Sequence, residues 1–186
     1  MDIRALSPSL IPDYLDYFDN RAFADNPGWA SCYCHFLYAD TSVKPWGQYT
    51  AQENRGAVIR LINAGEFHGY LAYENGRAVG WCNAAPRRLI PALQRLPGDQ
   101  LEQVGSLVCF VVAKPNRGQG VASQLLDAAC AGFRQQGLTI AEAYPRPRSR
   151  SESSNHYGPI KMFLKAGFSV YHQEKGNRPI LRKDLT

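Results

Sequence analysis

The chain has 186 residues, ordinary apolar (45%) and charged (20%) fractions and a formal net charge of +5, which suits one well-buried core and is short for two domains. Five cysteines are an odd number and exclude a regular disulfide framework. No apolar run approaches the roughly 20 residues of a bilayer span, and MDIRALSPSL lacks the basic-then-apolar pattern of a signal peptide, so one cytoplasmic α/β domain over residues 1–186, away from membranes, is expected.

Asp2-Ile3-Arg4-Ala5-Leu6 reads as a short strand, and Ser7-Pro8 opens a helix running through Tyr17, because a capping residue followed by proline is a helix-start signature. Residues 21–48 are irregular and rich in aromatics. Long irregular stretches inside compact domains tend to be functional, so Asp25, Trp29, Tyr33, Phe36 and Tyr38 are candidate substrate contacts, the rings to stack on a ligand and Asp25 to attract a cationic group. Trp81 and Asn83, with Arg87 beyond them, are candidates for the opposite wall. Cys32-Tyr33-Cys34-His35 has no second Cys/His pair at a suitable spacing, so no metal site is expected.

Thr50-Ala51-Gln52-Glu53 is a capping box for a helix to about Asn63. Two strand-like runs, 68–74 and 77–85, flank Asn75-Gly76, a strong hairpin signal. Residues 104–112 form a mostly apolar run suited to a strand buried on both faces. From Gln119 to Gln136 apolar residues recur at helical spacing, Gly137 ends the helix, and 138–144 returns as a strand, a unit that implies parallel pairing by a right-handed crossover. A helix over 159–166 and strands over 168–172 and 180–182 complete a mixed central sheet with helices on both faces. The basic loop Tyr144-Pro145-Arg146-Pro147-Arg148-Ser149-Arg150 reads either as a solvated segment or as a contact for phosphate or carboxylate.

Between the buried strand and its helix lies Arg117-Gly118-Gln119-Gly120-Val121-Ala122. Glycines let the backbone approach closely, and the unpaired amides and dipole of a helix start attract anions. The segment resembles the acyl-CoA-binding motif Arg/Gln-x-x-Gly-x-Gly/Ala of the GNAT superfamily of N-acyltransferases, with Arg117, Gly120 and Ala122 filling it. The order of elements over about residues 50–172, including Lys165-Ala166-Gly167-Phe168, is similar as well.

The resemblance implies a single GNAT-like domain with its cofactor motif over 108–136 and a substrate insert over 21–48. Acetyl-CoA would be held by the amides from Arg117 to Ala122, through Gly118, Gln119, Gly120 and Val121. Strand residues Phe110, Val111 and Val112 would pair with the pantetheine arm, one N–H polarising the thioester carbonyl. The family's usual acid, a tyrosine four residues before the glycine of Gly167-Phe168, is Phe163 here, leaving Tyr157, Tyr144 or water for that role.

An alkyl amine of pKa about 10 needs a base or a water chain to attack at neutral pH. Glu142 is the first candidate, followed by Glu66, His68 and His156. The expected activity is N-acetylation of a primary amine on a small molecule, either an aminoglycoside-like antibiotic, with a role in resistance, or a metabolite. Neither nucleic acid nor membrane is an expected partner, and the reading admits a homodimer. The alternatives are a peptide or protein N-acetyltransferase and a non-catalytic acyl-CoA-binding regulator.

Overall fold

The computed structural model describes residues 1–146, 155–174 and 178–186; Arg148 and Arg150 of the basic loop lie outside them. Seven strands form one sheet, β1 (Asp2–Ala5), β2 (Gly69–Glu74), β3 (Arg77–Pro86), β4 (Val104–Val112), β5 (Ile140–Ala143), β6 (Ser169–His172) and β7 (Ile180–Asp184), in the order β1-β2-β3-β4-β5-β7-β6. Among these seven strands β4 and β5 pair in parallel and the other neighbours antiparallel, as the strand-helix-strand pattern requires.

Helices α1 (Ile11–Asn20) and α2 (Ala51–Asn63) cover one face, where Tyr14, Phe18, Val58 and Ile62 pack on Leu71, Trp81 and Val111. On the other face, α3 (Val121–Gln135) and α4 (Ile160–Lys165) bring Leu125, Ala129, Phe133 and Phe163 onto Ala72, Cys82, Leu107 and Phe110. Successive strand side chains point to opposite faces, so two apolar layers cover β2–β4 and leave them nearly continuously buried. Gly105 fits this packing because a Cβ there would stand 2.4 Å from Cγ of Phe133.

The capping box forms as expected: the Glu53 amide donates to Thr50 Oγ1 at 3.2 Å and the Thr50 amide to Glu53 Oε2 at 2.8 Å. Asn75 and Gly76 turn the β2–β3 hairpin with φ of 50° and 75°. Helix α3 starts at Val121, two residues later than its apolar spacing predicts, because Gly118 and Gly120 both take left-handed φ, 74° and 79°, and two such residues interrupt a right-handed helix.

One irregularity sets the site. Along β3–β4 the pairing steps from Asn83↔Cys109 to Ala84↔Leu107, so Val108 is an extra residue on β4, a β-bulge that bends its strand. The parallel ladder with β5 spans Val104↔Ile140 to Leu107↔Ala143 and ends there. Past that point the two strands part, and β4 from Phe110 to Val112 borders a crevice. The segment 155–159 runs along it, with the Phe110 amide donating to the His156 carbonyl at 2.6 Å and Arg146 bridging Pro159.

Candidate active site

The glycine loop opens into the crevice. A cavity of about 350 Å³ is lined by Phe110, Val112, Arg117, Gly118, Gly120, Val121 and Ala122, with Gly158 and Met162 opposite. The first backbone bond of α3 runs from the Gln124 amide to the Gly120 carbonyl at 3.1 Å, and the amides of residues 118–123 meet no acceptor among the described residues. A Cβ built on Gly118 or Gly120 meets nothing within 4 Å, so the loop faces open space and its glycines are required by their φ. Unpaired amides at a helix start, over a cavity of this size, suit a pyrophosphate.

Arg117 takes a different part from the expected one. Its amide donates to the Lys114 carbonyl at 3.3 Å, its Nε to the Val112 carbonyl at 3.0 Å, and its two terminal nitrogens to Asp25 at 2.6 and 2.9 Å. The side chain therefore clamps the loop to β4 and to the insert, and the anion cradle begins at Gly118. Asp25 is correspondingly committed: the guanidinium beside it holds its carboxyl below the ordinary range, and it is not positioned as the lone anion that would draw in an amine. Within β4 the Phe110 amide is already bonded to His156, so of the three strand residues expected to pair with pantetheine, Phe110 would first have to release it. Ala113 donates to Val79 on β3, and strand alternation turns Val111 the same way and Val112 toward the crevice.

A narrow space of about 50 Å³, lined by Phe23, Phe110, Val111, Val112, Arg117 and His156, shares walls with this cavity and with a second one of about 350 Å³. Trp29, Cys32, Phe36, Trp46, Arg146, His156, Tyr157 and Arg178 contribute to its walls. Of the expected substrate contacts Trp29 and Phe36 line this cavity, where they meet Tyr157, the candidate acid, together with Trp46, Cys34, Cys109, Arg146 and Arg178. His156 lies at the junction, its ring centroid 4.3 Å from that of Tyr157 and 5.3 Å from Trp29.

The insert is held from both helices. The Tyr14 hydroxyl donates to the Tyr33 carbonyl at 2.7 Å, the Asn54 amide group to the Ser31 carbonyl at 2.8 Å, and Asn54 Oδ1 pairs with His35 Nδ1 at 2.8 Å. Tyr33 and Cys34 adopt positive φ, 44° and 52°. Such left-handed non-glycine residues carry about 1–3 kcal/mol of strain each, and the surrounding burial sustains it.

Several expected wall residues are core instead. Trp81 is fully buried, stacked on Phe67 at 5.8 Å and edge-on to Tyr14 at 4.9 Å. Tyr33 stacks on Phe18 and donates to Asp19 Oδ1 at 2.5 Å, while Tyr38 packs on Phe67 and donates to buried Asn83 at 3.2 Å. These four are fixed by packing and lie off the second cavity.

Glu142 is no available base. It is completely buried, with Arg87 donating to one carboxylate oxygen at 2.8 Å and Arg182 to the other at 2.7 Å, and the Tyr144 hydroxyl also donates to it. Arg87, itself buried, binds the carbonyls of Leu93, Leu96 and Pro97. The cluster ties residues 87–99 to β5 and β7. Tyr144 is locked between Glu142 and Ser106, and burial raises its hydroxyl pKa well above the usual value. His68 bonds the Gly65 carbonyl and Glu66 is exposed, both off the cavities. Phe163 is fully buried beside Phe110 and Phe168, with its para carbon turned to Gly158. No group of three or more His, Cys, Asp or Glu side chains arranged for a metal ion occurs among the described residues, nor does any helix long and apolar enough to cross a membrane.

A glycine loop with unpaired amides beside a parted pair of parallel strands, with an aromatic-walled cavity nearby, suits a transferase with separate donor and acceptor sites. The family model for the acetyltransferase (GNAT) family matches residues 30–168, and the chain belongs to that family. Solved structures of similar fold include an N-acetyltransferase from Staphylococcus aureus Mu50, 19% identical with a TM-score of 0.57, covering 100% of this chain and 98% of that one. A putative acetyltransferase from Salmonella typhimurium, solved with acetyl-CoA, is 16% identical with a TM-score of 0.55, over 100% and 94% of the two chains. An aminoglycoside 6′-acetyltransferase type Ii is 14% identical with a TM-score of 0.59, over 100% and 98%. No curated protein matches the chain in sequence. The protein is thus an acetyl-CoA-dependent GNAT N-acetyltransferase.

Proposed function

We propose that the protein moves an acetyl group from acetyl-CoA directly to a primary amine of a small molecule bound in the second cavity. The observation that carries this reading is the adjacency of the two cavities: a small space beside them shares Phe110, Val112 and Arg117 with the donor side and Phe23 and His156 with the acceptor side. Acetyl-CoA supplies a thioester, whose C–S bond breaks as the amine nitrogen bonds the carbonyl carbon.

The chain's residues serve three tasks in this reading. Amides 118–123 bind the pyrophosphate. Strand β4, at Val112 and at Phe110 once its amide leaves His156, pairs with the pantetheine arm. His156, at the junction, accepts the proton that the amine loses, directly or through one water. Tyr157, whose ring neighbours His156 on the same wall, is the candidate donor to the departing thiolate.

A polycationic amino sugar is disfavoured as the acceptor, because no carboxylate lines the acceptor cavity among the described residues while two arginines do. A second copy of the chain is not needed for any of these roles.

Release of free CoA thiol against a panel of primary amines, with mass spectrometry of the product, tests the activity, and Gly120 variants test the donor site. Gly120→Val forces a β-branched residue to φ near +79°, costing about 1–2 kcal/mol or more, so acetyl-CoA affinity should fall at least about fivefold. Gly120→Asn, better tolerated there, should fall less. Undiminished affinity in Gly120→Val would refute the donor site, and acetyl-CoA binding without acetylation of any amine would favour a regulator.

A further inference from the structure

We infer that the acceptor is an amino acid whose carboxylate is bound by Arg146 and Arg178 beside Tyr157, with its amine toward His156 and an apolar side chain against Trp29, Phe36 and Trp46. The inference rests on the transferase reading above and narrows its acceptor.

Arg146 and Arg178 come from segments 32 residues apart in sequence and converge on one ring. Their guanidinium carbons stand 5.6 and 4.0 Å from the Tyr157 ring centroid, and both side chains line the acceptor cavity. Their backbones are anchored, Arg146 by its bridge to Pro159 and Arg178 by the buried Pro179 that leads into β7. Neither has a carboxylate partner among the described residues. This sets them apart from Arg87, Arg117 and Arg182, each of which is paired with an acid.

Two like charges held at one ring with no carboxylate partner among the described residues repel each other, and a bound anion relieves that cost. Stacking on an aromatic face occupies only the faces of a guanidinium. Its in-plane N–H donors stay free for the two oxygens of a carboxylate.

The rest of the cavity agrees with this polarity. Trp29, Phe36 and Trp46 supply apolar wall, and no acidic side chain lines the cavity among the described residues. The adjoining cavity, which shares Phe36, Tyr157 and Arg178, has one carboxylate, Glu174, beside His172. The His156 and Tyr157 rings are neighbours at 4.3 Å, so the proposed base and the anion site lie a single ring apart. An amine and an anion separated by only a few bonds match that spacing, as in an α-amino acid. A long diamine or an amino sugar offers no group for the arginines. Phosphonate oxygens share the chemistry of a carboxylate, so the test includes both.

The test is binding to the full chain in the presence of CoA, with N-acetyl-L-phenylalanine and N-acetyl-L-leucine compared with their amides, and N-acetylated aminoalkyl phosphonates as a further arm. Acetyl transfer to the parent amines is measured in parallel by CoA release. The wild-type protein should bind the acids at least about tenfold more tightly than the amides. Arg146→Gln with Arg178→Gln should erase that ratio while leaving the thermal unfolding midpoint and CoA affinity unchanged. A stronger preference for the phosphonates would replace the amino acid by an aminoalkyl phosphonate or phosphate. Equal binding of acids and amides, a preference that survives in the double variant, or no binding of any acid overturns the inference. Acid-selective binding without CoA release would leave the anion site standing and remove the transferase reading, whereas efficient acetylation of uncharged amines with no acid preference would do the reverse.

Discussion

Arg117 holds Asp25 through both terminal nitrogens, at 2.6 and 2.9 Å, across 92 residues of sequence. The bond ties the loop of the proposed donor site to the insert that lines the proposed acceptor site. Both side chains are about one-quarter exposed, so the ion pair itself is worth only about 0.5–1 kcal/mol. Asp25→Asn should raise the KM for acetyl-CoA by about two- to fivefold and leave the fold intact. The sign of the pH effect follows from the lowered carboxyl pKa: the stabilisation is present above the unfolded value of about 3.9 and is lost as the pH falls through the folded value. Wild-type affinity for acetyl-CoA should therefore weaken in acid toward that of Asp25→Asn, and a KM identical in the two proteins at pH 7 would show that the tether is idle.

His156→Gln removes the proposed base and keeps the backbone carbonyl that receives the Phe110 amide. General-base catalysis contributes about 10²–10⁴-fold, so kcat should fall by about 10² or more while the KM for acetyl-CoA moves little. The kcat that remains should no longer follow the wild-type pH profile. A variant with wild-type kcat would assign the proton to solvent.

Glu142→Gln should act on stability. Taking one charge from a buried, arginine-paired site costs about 3–5 kcal/mol, which denaturant unfolding would read directly. The fraction that remains folded should keep its kcat. If instead the variant were as stable as wild type and lost activity with a changed pH profile, Glu142 would be reinstated as the base.

Burial also leaves an alkaline signature. It pushes the Cys32 thiol up to about 12 and Cys130 to about 11 from an ordinary 9, and raises the hydroxyls of Tyr14, Tyr17 and Tyr38. A folded-state pKa above the unfolded one gives stability that is complete below the unfolded value and declines as the pH climbs through the folded value. The urea midpoint should hold steady up to about pH 8 and fall progressively above about 8.5, where unfolded thiols ionise. A midpoint flat to pH 11 would mean that these groups ionise in the folded protein without penalty.

The features readable in sequence were those whose causes are local. Asn75-Gly76 supplies its own two positive φ angles, and the Thr50/Glu53 box satisfies its amides within four residues. Gly118 and Gly120 likewise declare the loop. Glu142 was misread because its partners Arg87 and Arg182 lie 55 and 40 residues away, and no local pattern marks a carboxylate as buried between them. Trp81 was misassigned to a wall because β3 is buried on both faces, where alternation cannot tell core from cavity. Arg178 sits in a short segment before Pro179 with no periodic neighbours, so only the folded chain brings it to Tyr157.

The extra residue Val108 has a mechanical consequence. Strands β1–β4 form one half of the sheet and β5, β7 and β6 the other, and only the short ladder from Val104↔Ile140 to Leu107↔Ala143 joins them strand to strand. From Leu107 the stretch of β4 that pairs with β3 but not with β5 runs about 16 Å to Val112. Among the described strands the two halves are thus joined at one end, and the crevice bearing Val112, Gly118 and Gly120 opens at the other.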